Sequence, residues 1–151
     1  MAIFTLGNTI KAVETVISAS AELGGYMMGE PKQPPDTGTK PYGALTAKSS
    51  DVLLVFADMG TRQSHILNLR LYLDALSEPQ ENTELELIDA SENLQAELRK
   101  DSTFNSTVMK VDAAGEGGTT MKADYGYVEI GGKWFRIADI TVPFIVDDST
   151  A

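Results

Sequence analysis

Apolar residues recur along this chain with two different periods, and the places where one period gives way to the other mark its elements. Leu6, Ile10, Val13 and Ile17 stand at i, i+4, i+7 and i+11, which sets them on one stripe of a helix predicted from about residue 5 to residue 23. Gly24-Gly25 ends it. The segment is rich in Val, Ile and Thr, whose branched side chains lose rotamers against the preceding turn, so packing on a sheet must supply much of its stability. From Gly24 to Ser50 neither period continues, and Pro31, Pro34, Pro35 and Pro41 interleave with Gly29, Gly38 and Gly43. That composition predicts a long loop. Structureless stretches beyond about 12–15 residues are uncommon in compact domains and tend to be functional or ordered by a partner. Tyr26, Met27, Met28 and Tyr42 are apolar residues inside it and are candidate interface residues. The pattern leaves open whether they anchor the loop to its own domain or to a neighbour.

Val52-Leu53-Leu54-Val55-Phe56 is a continuous apolar run within Asp51 to Ala57, and it predicts a central strand buried on both faces. After the turn-like Asp58-Met59-Gly60, Leu67, Leu69, Leu71 and Leu73 alternate with Asn68, Arg70 and Asp74 in a second strand from His65, antiparallel to the first. Ser77 to Asn82 is a polar break, where Asn82 or Thr83 can cap a helix reaching Lys100, with Glu84 and Glu86 in its first turn and Leu87, Ser91, Leu94 and Leu98 on one face. Thr107 to Ala113 reads as a strand and Gly115-Glu116-Gly117-Gly118 as a loop tip. Tyr125 to Ile130 and Lys133 to Val146, split by Gly131-Gly132, predict a β-hairpin. Pro143 cannot donate to a ladder, so it is expected at a sheet edge or bulge and joins the candidate interface residues. One domain accounts for residues 1–151, with 147–151 expected as a flexible tail.

Charge narrows the partners. Twelve Lys and Arg against 22 Asp and Glu give a formal net charge of −10, and the one basic couplet, Arg99-Lys100, sits where cations complement a helix C-terminus. No basic stripe suits a phosphate backbone. Cysteine is absent, which excludes disulfides, thiolate nucleophiles and Cys-ligated zinc. The start lacks a secretory signal pattern, and no apolar stretch approaches the ~18 residues of a membrane span, so a soluble chain made in the cytoplasm is expected.

Candidate chemistry is sparse. His65 is the single histidine and opens an alternating strand with no nucleophile signature nearby, which favours the polar end of a strand over a catalytic base. The glycine tract lacks the Lys-Ser or Lys-Thr of a phosphate cradle. Asp147-Asp148 and Glu84/Glu86 lack calcium-loop spacing. Trp134 and Phe135 are adjacent on a strand and must face opposite ways, so one fills the core. No catalytic residue, metal or cofactor is expected.

The order helix, long Pro-rich loop, two strands, helix, strand, hairpin is carried by Leu6 to Leu23, Asp51 to Ala57, His65 to Asp74, Thr83 to Lys100 and Tyr125 to Val146. This order resembles the tail-terminator and tail-completion family of long-tailed bacteriophages. The resemblance spans nearly the whole chain and implies an α+β fold: a mostly antiparallel sheet with an N-terminal and a central helix packed on it. It also implies a structural virion protein, assembled in the host cytoplasm into a homohexameric ring at the neck. Such a ring ends the tail tube, docks to the head-side connector and lets DNA pass without binding it. Other neck proteins, such as a stopper or head-completion protein, and tail-tube or baseplate subunits stay open as alternatives. So does, more distantly, a ligand-binding or enzymatic α+β domain.

Overall fold

The computed structural model describes residues 6–35, 40–57, 60–75, 80–100 and 110–148. Among these residues it is an α+β fold of two helices and one six-stranded sheet: α1 (Leu6–Ser18), β1 (Gly25–Met28), β2 (Tyr42–Val55), β3 (Thr61–Asp74), α2 (Gln80–Lys100), β4 (Lys110–Val111), β5 (Lys122–Ile130) and β6 (Lys133–Asp148). The sheet runs β1-β2-β3-β6, with β4 and β5 sharing the far edge of β6, and every pairing except β1 with β2 is antiparallel.

β3 is central because it carries the strictest alternation. Leu67, Leu69, Leu71 and Leu73 point to one face, where Val142, Ile140 and Ala138 of β6 and Leu45 of β2 join them. Burying each leucine is worth about 1.5–3 kcal/mol. Both helices pack on this same face: Val13 and Ile17 of α1 and Leu87, Ala90, Leu94 and Leu98 of α2 are fully buried against it. The predicted inward face of the second helix is therefore the observed one, with Ser91 also buried.

α1 stops at Ser18, short of Leu23. Thr15 and Ser18 turn their hydroxyls back on Lys11 and Thr15 carbonyls, and the i→i−3 bond from Ser20 N–H to Ile17 tightens the last turn. α2 begins at Gln80, ahead of the expected Asn82 or Thr83 cap. The hairpin is as expected: Gly131 (φ 57°) and Gly132 (φ 82°) make the two-residue turn that matches strand twist.

Four expectations fail. The stretch 24–50 is not one loop, because Gly25–Met28 and Tyr42 onward are strands paired side by side; of the part between them, 36–39 lie outside the described residues. Four residues are too few to display a period. That connection also packs on its own domain: Pro35 and Pro41 are buried, and Pro34 lies so close to the hairpin turn that a Cβ on Gly131 would come within 3.1 Å of its ring. On the face opposite the helices a second cluster of Ala44, Tyr72, Phe135 and Ile137 has Met27 and Tyr42 packed against it.

Asp51–Ala57 is not central, as shown below. Pro143 is neither at a sheet edge nor exposed; it is buried in β6 opposite Ile66 of β3. Its carbonyl accepts the Asp112 N–H, so its nitrogen faces the same side, between the ends of β5 and β4, where no ladder bond is lost to β3. Of the tail expected over 147–151, Asp147 and Asp148 are the end of β6, paired with Arg62 and Thr61, and 149–151 lie outside the described residues. Of the strand expected over Thr107 to Ala113, Lys110–Val111 is observed, and 107–109 lie outside the described residues. The glycine tip folds back: Asp112, buried, accepts the N–H groups of Glu116 and Gly117 at 2.8 Å each, and a Cβ on Gly117 would come within 3.1 Å of the Ser64 hydroxyl.

Candidate assembly surfaces

Ten large apolar side chains are exposed among the described residues, and they form two groups at opposite rims of the sheet. One rim holds Tyr26 and Met28 of β1 and Val52, Leu53, Leu54 and Val55 of β2; the other holds Tyr125 and Tyr127 of β5, Trp134 of β6 and the neighbouring Leu85 of α2. β3, between them, contributes none.

The first rim is bare because β2 outruns its cover. β1 pairs only with Tyr42 to Leu45, and from there to Val55 the outer edge of β2 has no strand beside it among the described residues. Val52, Leu53, Leu54 and Val55 are 60, 42, 49 and 55% exposed. Two register shifts, between Ala47 and Ser49 and between Val52 and Leu54, twist this part of the strand. Its backing is firm nonetheless. Arg62 grips Asp147 through two bonds of 2.7 and 2.9 Å, joining β3 to β6, while the Phe56 N–H donates to the Gly60 carbonyl. Paired with Arg62, the Asp147 carboxyl titrates below its ordinary range.

The second rim is organised by Arg136. Its Nε donates to Glu84 Oε1 at 2.5 Å, its Nη1 to the Gly126 carbonyl at 3.0 Å, and the guanidinium lies 4.7 Å from the Tyr127 ring centroid. The bond to Glu84 holds the arginine firmly charged. Trp134 faces out and Phe135 is wholly buried, the opposed pair that strand geometry requires. Exposed Tyr and Trp beside a half-buried Arg is the composition enriched at interface centres.

The residues expected at an interface divide by strand alternation. Tyr26 and Met28 are exposed, whereas Met27 and Tyr42 turn inward onto the second cluster and Pro143 is buried. Val52 to Val55, Tyr125, Tyr127 and Trp134 are not among the residues expected at an interface. One signal was available for the first of these: two amphipathic helices cover one face of a sheet, and a run apolar on both sides needs a further layer that the chain does not provide.

His65 does not lie at the polar end of its strand, since β3 starts four residues earlier; it is buried and stacked on Phe144 with centroids 5.5 Å apart. Gln63 Nε2 donates to Thr61 Oγ1 at 2.7 Å, which assigns Gln63 Oε1 as acceptor for His65 Nε2–H at 2.8 Å. Nδ1 then accepts from the Ser50 hydroxyl at 2.7 Å. This chain of bonds ties β2 to β3 at the root of the exposed run.

Burial lowers the His65 pKa from 6.5, with Asp51 opposing the shift. The unfolded chain therefore takes up this proton at a higher pH than the folded one, so stability falls as pH drops through the unfolded value and levels off below the folded value. Taking the protein from about pH 7.5 to 5.5 should lower its thermal midpoint, and His65→Gln should flatten that dependence. An undiminished slope in the variant would assign it to other groups. Asp147, shifted down from 3.8, acts in a lower window.

No protein-family model matches the chain, and no curated protein matches it. Among solved structures it is similar to a chain of the virion of the native gene transfer agent (GTA) particle, with a TM-score of 0.51 over 91% of this chain and 93% of that one. The two are 16% identical, so the likeness is one of fold.

Proposed function

We propose that this chain is a non-enzymatic structural protein of a phage-like virion, working as a homo-oligomeric ring that ends the tail tube and joins it to the head-side connector. The observation that carries the reading is the apolar run Val52 to Val55, held firmly at a sheet edge and left bare in the single subunit. An uncovered apolar edge strand is an invitation to pair with another chain, and folded proteins keep one where a partner covers it. The fold shared with a chain of the GTA virion supports a place in such a particle. Hexameric closure and the tube and connector partners follow from the resemblance to tail terminators.

Charge is consistent with this role. α2 turns Asp89 and Glu92 to solvent, and a subunit of net charge −10 repels a passing phosphate backbone rather than holding it. Light scattering and negative-stain electron microscopy of the purified chain test the proposal. Closed rings that cap purified tail tubes are the expected result. A lone monomer at micromolar concentration would overturn it, and stacking of the chain into tubes of its own would make it a tube subunit instead.

A further inference from the structure

We propose that subunits meet head to tail, the Val52 to Val55 edge of one copy lying against the Tyr125, Tyr127 and Trp134 edge of the next. This rests on the ring reading above and names the contact that closes the ring.

The placement of the exposed apolar residues is the first argument. They lie on two unlike surfaces at opposite edges of one sheet, with β3 and most of β6 between them. A two-fold contact brings a surface onto its own copy, so it would bury one rim and leave the other wet. A heterologous contact uses each rim once per subunit, buries both, and repeats until it closes.

Backbone supplies the second argument. The outer edge of β2 beyond Leu45 and the outer edge of β5 both lack a neighbouring strand among the described residues. Each therefore offers a row of N–H and C=O groups that the other edge can pair, with side chains setting the register.

The third argument is complementarity. One rim is aliphatic and the other aromatic with a fixed guanidinium, a pairing that packs well and keeps Arg136 bonded to Glu84. Lys48, exposed beside the aliphatic run, has no ion-pair partner among the described residues, and neither has the exposed Glu129 beside Tyr127 and Trp134. Lys48 and Glu129 thus offer one opposite-signed pair across the contact, while Asp51, exposed beside Val52, makes the aliphatic rim mixed in sign.

The chain has no cysteine, so introduced thiols report without background. Leu54→Cys and Tyr127→Cys both fall on exposed positions, and circular dichroism should show the variants folded as the parent is. The assembled double variant, treated with a short bismaleimide, should give a ladder of covalent oligomers whose last rung equals the ring size. Each single variant should stay monomeric on a denaturing gel. Dimers from Leu54→Cys alone would show like rims meeting and would overturn the head-to-tail contact. Intact rings by light scattering with no ladder would overturn this contact and leave the ring standing. Monomers at every concentration, for the parent chain as for the variants, would remove the ring itself.

Discussion

Leu94→Asp should abolish cooperative thermal unfolding. Leu94 is fully buried on α2 against the leucines of β3, and no cation faces it within that apolar cluster. An aspartate there is either charged and unpaired or protonated at the expense of its pKa. Each route costs more than about 4 kcal/mol, a large share of the roughly 5–15 kcal/mol that holds a domain together. Leu94→Ala, which loses contacts and leaves a cavity, should be milder, about 2–5 kcal/mol. Differential scanning calorimetry distinguishes the two. A midpoint for Leu94→Asp within a few degrees of the parent would mean that α2 turns another face to the sheet.

The paired substitution Val52→Asp with Leu54→Asp should act in the opposite way, leaving the monomer folded and dispersing the assembly. Both side chains are about half exposed in the isolated subunit, so the melting midpoint should shift little. Within a contact, two uncompensated carboxylates should weaken association roughly a thousandfold. Sedimentation velocity across a concentration series provides the measurement. If the variant sedimented as the parent does, the exposed run would have no part in assembly.

Much of the fold is legible in the residues themselves. The stripe of the second helix, the alternation from Leu67 to Leu73 and the Gly131-Gly132 turn are local signals, each fixed by the geometry of a single element. What escapes is whatever depends on neighbours distant in the chain. Gly25–Met28 becomes a strand only because Tyr42 to Leu45 lies beside it. Val52 to Val55 reads as buried because hydrophobicity reports a demand for cover, not whether the same chain meets it. Pro143 sits inside the sheet because the ladder on one side of β6 is interrupted where its nitrogen points, an accident of register that no window of sequence contains. The candidate surfaces were half legible for the same reason. Alternation sent Met27 and Tyr42 inward and Tyr26 and Met28 outward, while the aromatic rim is visible only once β5 is known to be an outer strand.

The pairing of β3 with β6 also sets a schedule for biosynthesis. Thr61 to Asp74 matches Asp148 to Phe135 residue for residue, yet α2 and the glycine-rich turn separate the two strands in sequence. The middle of the sheet therefore cannot close until β6 has left the ribosome, and a long-range ladder of this kind forms slowly. Until then β3 presents an open flank and β2 has no stable backing. In the proposed assembly, a chain whose β6 has not yet emerged would lack the backed β2 edge through which it meets another copy.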